Sequence, residues 1–105
     1  MDRKTNLKNE LRIFKEKLSK KIQIKILLFF GSRANGKAKK YSDVDLIVVS
    51  ENFRRKKFHQ RAVDLYDYWH LDYPVDFICY TPEEFKKSKK LSVLVKEAVK
   101  EGVEI

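Results

Sequence analysis

The sequence predicts a mixed α/β domain of the α+β kind, a small, partly antiparallel sheet packed with helices. Three observations carry this prediction. Apolar runs at 24–30, 43–49 and 75–80 are short, rich in β-branched or aromatic residues and bounded by Gly, Asp or Pro. The segments around them repeat apolar residues at helical spacing. The connection over 31–42 is short, which makes the first two strands antiparallel neighbours. The expected order is helix–strand–turn–strand–helix–strand–helix–helix, with the helices covering one side of the sheet.

Each element has its own signal. Over 5–21, Leu7, Leu11, Phe14 and Leu18 recur at helical spacing with charges between them. The run Ile24 to Phe30 is strand-length and stops at Gly31. Residues 31–42 are polar and contain Gly31 and Gly36. The stretch 43–49 turns β-branched and apolar after its aspartates, a second strand. A charged loop fills 50–57, and Phe58, Ala62, Leu65 and Trp69 mark a helix over 58–70. Tyr73-Pro74 ends it, and Val75 to Tyr80 reads as the third strand. Thr81-Pro82-Glu83-Glu84 is a helix start: Thr81 caps, Pro82 suits the first turn and Glu84 completes a capping box. A last helix is expected over 91–101, with Leu91, Leu94, Val95, Ala98 and Val99 on one face and Gly102 as a left-handed cap.

The chain of 105 residues is long enough for one core, and residues 1–105 read as a single domain without repeat or linker. No apolar run nears the roughly 20 residues that span a bilayer. Met1-Asp2-Arg3-Lys4 leads into a polar amphipathic segment, and a soluble cytoplasmic protein with no membrane partner is expected. The single cysteine, Cys79, excludes an internal disulfide or a cysteine zinc site, and reads as a buried small hydrophobe. Net charge is +9. That balance suits an anionic partner, but the lysine pairs (Lys20-Lys21, Lys39-Lys40, Lys56-Lys57, Lys86-Lys87, Lys89-Lys90) are dispersed. Charge alone therefore does not decide for nucleic acid.

Three carboxylates stand in unusual places. Asp43 and Asp45 are two apart at the start of an apolar strand, so they share one face and repel unless a cation lies between them. Asp76 sits inside the third strand and joins that face if the second and third strands pair. Three oxygen donors with no His or Cys nearby suit a hard cation such as Mg²⁺. Just upstream, Gly31 lets backbone approach a ligand closely. If Ser32 begins a helical turn, its hydroxyl and the following amides face a phosphate. Arg33 adds positive charge there, or acts as a structural contact behind the turn. Singly, a Gly-Ser turn or an Asp pair at a strand entrance is ordinary loop chemistry; their conjunction is not.

Gly31-Ser32-Arg33-Ala34-x-Gly36 followed by Ser42-Asp43-x-Asp45-Leu46 resembles the signature of the DNA polymerase beta-type nucleotidyltransferase superfamily. Asp76 in Val75-Asp76-Phe77 matches that pattern's third acid. Within the superfamily the chain resembles the minimal nucleotidyltransferases, which often accompany HEPN-domain proteins, and the likeness runs from the strand at 24 to Glu101-Gly102. The resemblance implies a nucleotidyltransferase fold and transfer of a nucleoside monophosphate with release of pyrophosphate. Gly31, Ser32 and Arg33 would hold the triphosphate, with ATP favoured. Asp43, Asp45 and Asp76 would be the catalytic, metal-binding acids, Asp76 also helping to deprotonate an acceptor hydroxyl. A two-metal Mg²⁺ site is implied, with Mn²⁺ as an alternative.

Relatives of this kind include antitoxins that neutralise HEPN ribonucleases, some by transferring AMP to a toxin tyrosine. A HEPN-type toxin is thus the expected partner, and a homodimer is the other way to cover exposed apolar helix faces. The alternative reading is a non-catalytic nucleotide-binding or antitoxin subunit, but the intact acids favour an enzyme. His59 and His70 read as surface or packing residues, and Trp69 as core. Tyr66, Tyr68 and Tyr73 are candidates for a nucleoside pocket or an interface.

Overall fold

The computed structural model describes residues 3–39 and 42–105, the first three of these by backbone only. Met1 and Asp2 of the N-terminal segment, and Lys40 of the Lys39-Lys40 pair, lie outside the described residues. The elements are α1 (Arg3–Leu18), β1 (Ile26–Phe30), α2 (Ser32–Asn35), β2 (Val44–Val49), α3 (Phe58–Tyr66), β3 (Val75–Tyr80), α4 (Pro82–Leu91), α5 (Val93–Glu101) and β4 (Val103–Glu104). A 3₁₀ turn at Glu51–Phe53 follows β2. Among the described residues no helix is long and apolar enough to cross a membrane.

The sheet order is β3-β2-β1-β4. β1 and β2 are antiparallel, as the short 31–42 connection requires, and β3 runs parallel to β2. α3 makes that crossover, because two parallel strands cannot be joined by a tight turn. The sheet is covered on both faces, not on one as expected. Alternate residues explain this: Leu27, Phe29, Leu46 and Val48 pack towards α1 and α3, whereas Leu28, Phe30, Ile47 and Val49 pack towards α4 and α5. Strands buried on both faces read as unbroken apolar runs, which is how β1 and β2 read.

The capping box forms as expected. Thr81 N–H donates to Glu84 Oε1 at 2.7 Å and Glu84 N–H to Thr81 Oγ1 at 3.3 Å. Glu84 also receives Arg61 Nη1 at 2.6 Å, tying α4 to α3. β3 is the outer strand on that side, and α3 covers it: Tyr66 Oη donates to the Val75 carbonyl and Arg61 Nη1 to that of Cys79. Such cover blunts an edge that would otherwise pair with another chain.

Several boundaries differ from expectation: α1 runs over Arg3–Leu18 and not 5–21, and β1 and β2 start at Ile26 and Val44. α3 stops at Tyr66, and Trp69 reaches the core from the loop beyond, its ring 5.1 Å from that of Phe14 and its Nε1–H bonded to Tyr73 O. Helix continues from Pro82 to Leu91 and restarts at Val93, because Ser92 caps the new helix through Val95 N–H. That break changes the helical phase: Val95 and Ala98 are buried, while Leu91 and Leu94 are 73% and 50% exposed. Gly102 is extended (φ −78°), not left-handed. Glycine is needed there for space, since a Cβ would lie 2.4 Å from Ala98 O and 2.9 Å from Phe29 O. The close passage lets β4 pair with β1, Phe29 opposite Val103.

Candidate functional site

The site forms where β1 ends and β2 and β3 begin. Phe30, the last residue of β1, pairs with Asp45. The chain then turns through Gly31, whose φ of +82° is open to glycine and strained for other residues. The turn closes directly on Asp45: a Cβ on Gly31 would sit 2.2 Å from Asp45 Oδ2. Gly31 thus brings its backbone against a carboxylate where a side chain would not fit.

Ser32 does begin a helical turn, but α2 is only four residues long. Ala34 N–H and Asn35 N–H both bond back to Gly31 O at 3.1 Å. A helix this short has little macrodipole. Any attraction for phosphate rests on the Ser32 hydroxyl, local amides and nearby cations. Gly36 takes the left-handed conformation that reverses the chain, and Lys37 N–H bonds to Ser32 O and Asn35 Oδ1. Arg33 braces the far end of the loop: its Nε–H donates to Ser42 O at 2.7 Å and its guanidinium lies 4.7 Å over the Tyr73 ring.

The three acids gather at the entrances of β2 and β3, close enough for Asp76 and Asp43 to act on the Asp45 charge. β2 and β3 pair in register, Asp45 opposite Asp76, and Asp43 lies two residues before Asp45 just ahead of the strand. Val44 N–H bonds to Pro74 O, fixing the two strand entrances together. By strand alternation Asp45 and Asp76 point to the side of the sheet occupied by α4 and α5, since Ile47, Val49 and Ile78 continue that parity into the same core. Asp43 and Asp76 are exposed, while Asp45 is partly buried. Burial, then the charges of Asp76 and of Asp43, raise the Asp45 carboxyl to about 6. A carboxylate so penalised gains from a neighbouring cation. The donor set, oxygen only, fits a hard divalent ion. Among the described residues, however, no three such side chains close into a ready-made cage.

A pocket of about 320 Å³ opens beside Asp45. One wall is the turn, with Gly31, Ser32, Asn35 and Lys37. The facing wall is α5, with Leu94, Glu97, Ala98 and Glu101. Arg33 does not line it. Sequence reading missed Asn35, Lys37 and the two glutamates. The helical spacing of 94, 97, 98 and 101 carries the signal for the α5 wall, but the sequence reading grouped Leu94 and Ala98 with the apolar face and left the glutamates aside.

Of the tyrosines, Tyr66 feels the charge of the acids. Its hydroxyl is bonded to the residue before Asp76, and burial together with the Asp76 and Asp43 charges holds its phenol above the usual range. His59 and His70 are exposed, and Cys79 is buried in the core, its thiol pushed up to about 12 by burial.

Comparison with known proteins bears on the family and the fold. The family model described as "Nucleotidyltransferase domain" matches residues 11–104. A Haemophilus influenzae protein named "Probable protein adenylyltransferase MntA" is 34% identical over 94 residues, covering 87% of this chain and 82% of its own. A crystal structure from Sulfolobus solfataricus, described as a "putative nucleotidyltransferase", superposes with a TM-score of 0.67 over 96% of this chain and 80% of its own. At 19% identity it supports the fold alone.

Proposed function

We propose that this chain, which belongs to the nucleotidyltransferase domain family, transfers AMP from ATP to a hydroxyl on a partner protein and releases pyrophosphate. The observation that carries the reading is the contact between the Gly31 turn and Asp45, with Asp45 paired to Asp76. It joins a phosphate-accepting turn to an acidic face within one strand pair. The 34% identical relative is named as a protein adenylyltransferase, which favours ATP and a protein acceptor. The resemblance to minimal nucleotidyltransferases points to a HEPN-type toxin as that acceptor.

In this mechanism the Gly31 backbone, the Ser32 hydroxyl and the Lys37 ammonium hold the triphosphate. Arg33 acts through the loop it braces against Ser42 and Tyr73. Asp43, Asp45 and Asp76 would hold Mg²⁺, with Mn²⁺ as an alternative. When bound, the cation supplies positive charge that offsets both triphosphate and carboxylates. The acceptor oxygen attacks the α-phosphorus, the bond from that phosphorus to the pyrophosphate oxygen breaks, and the acceptor proton passes to Asp76. Positioning and electrostatics do most of the work, as in phosphoryl transfer generally.

The test is the mass of a co-purified acceptor after incubation with ATP and Mg²⁺. Wild type is expected to add one AMP, and the Asp43→Asn/Asp45→Asn double variant none. Equal modification by both proteins, or by neither, removes the transferase reading.

A further inference from the structure

The two walls of the pocket beside Asp45 differ in chemistry. The turn wall offers the Ser32 hydroxyl, the Asn35 amide and the Lys37 ammonium. The α5 wall offers an apolar surface, Leu94 and Ala98, and two exposed carboxylates, Glu97 and Glu101. Phosphate is repelled by those carboxylates and attracted to Lys37. Hydroxyl and amino groups, by contrast, are donors, which ionised glutamates accept. Leu94 is 50% exposed on this wall, although its spacing fits a core position. The Ser92 break turns it out of the sheet packing and into the pocket.

We infer that the α5 wall is the nucleoside subsite: the base lies on Leu94 and Ala98, and Glu97 and Glu101 accept hydrogen bonds from the donors of the ribose or base. This rests on the nucleotide-binding part of the proposed function and adds which surface reads the nucleoside. It gives this domain its own means of distinguishing a nucleotide from bare polyphosphate. Helical spacing brings residues 94, 97, 98 and 101 to one side, so a single helix face supplies both the apolar platform and the acceptors.

The experiment measures Kd for ATP and for inorganic tripolyphosphate, each with Mg²⁺, in wild type, Leu94→Ala and Glu97→Ala/Glu101→Ala. All three substituted side chains are exposed, and thermal melts verify that the variants fold. Both variants are expected to bind ATP about tenfold more weakly, with tripolyphosphate affinity unchanged in Leu94→Ala and unchanged or tighter in Glu97→Ala/Glu101→Ala, which loses two carboxylates that repel phosphate. ATP affinity equal to wild type in both variants overturns the subsite and leaves the proposed function standing. Equal weakening towards ATP and tripolyphosphate also overturns it, since the wall would then not read the nucleoside. Wild type that binds neither ligand overturns the nucleotide site itself and this inference with it.

Discussion

Replacing Asp45 by Asn is expected to make the metal-free protein more stable while removing its function. In the folded chain the Asp45 carboxyl is raised from 3.8 to about 6 by burial, then by Asp76 and Asp43. Below about pH 4 the group is protonated folded or unfolded, and nothing is lost. Between about pH 4 and 6 the folded state keeps a proton that the unfolded chain releases, so stability falls as pH rises. Above about pH 6 the penalty is complete. About two pH units at ~1.36 kcal/mol each sets a ceiling near 3 kcal/mol. Asp45 is only partly buried, and solvent screening reduces this to roughly 1 kcal/mol. For a domain of this size that is about 5 °C in melting temperature. The assay is thermal unfolding by circular dichroism in EDTA, at about pH 4 and about pH 7.5. Asp45→Asn should melt higher than wild type at the upper pH and equal to it at the lower. Adding Mg²⁺ and ATP should then raise wild type alone. A variant that melts at or below wild type at the upper pH, or a gap independent of pH, would refute the reasoning.

Other substitutions separate backbone from side-chain effects. Gly31→Ala combines a positive φ with a 2.2 Å clash against Asp45 Oδ2; it should cost about 2 kcal/mol or more and abolish ATP binding by calorimetry. Gly36→Ala, at φ +80° with open space around a Cβ, should cost only about 1 kcal/mol in urea unfolding. Arg61→Ala removes the buried guanidinium that joins Glu84 to the Cys79 carbonyl; because Glu84 is half exposed, a loss of about 2 kcal/mol is expected. Cys79, buried with its thiol pushed up to about 12, should resist a thiol reagent in the native state and react fully in denaturant; rapid native labelling would contradict its burial.

What the sequence made legible follows from short-range rules. Spacing put Asp43 and Asp45 together at the entrance of β2, and in-register pairing of β2 with β3 then set Asp76 beside Asp45. The Thr81–Glu84 capping box was readable because both partners lie within one helical turn. Long-range facts were not readable. β4 has two residues, too few for any pattern, and exists because Gly102 admits it beside β1. Helices on both faces follow from the crossover through α3, which the apolar runs of β1 and β2 signal only weakly. Ser92 looked like an ordinary helical residue, yet its cap divides α4 from α5 and turns Leu94 towards the pocket. Lys37 entered the site through the left-handed turn at Gly36, a placement that charge counting does not reveal.

The central claim is that the Gly31 turn and the Asp45–Asp76 pair hold ATP for transfer of its α-phosphoryl group. It is tested most directly by supplying a co-purified acceptor with ATP labelled either at the α- or at the γ-phosphorus. The account predicts α-label in the acceptor and γ-label in pyrophosphate alone, with both signals lost in Asp45→Asn. Label from the γ-position in the acceptor, or α-label transfer that survives Asp45→Asn, would contradict it.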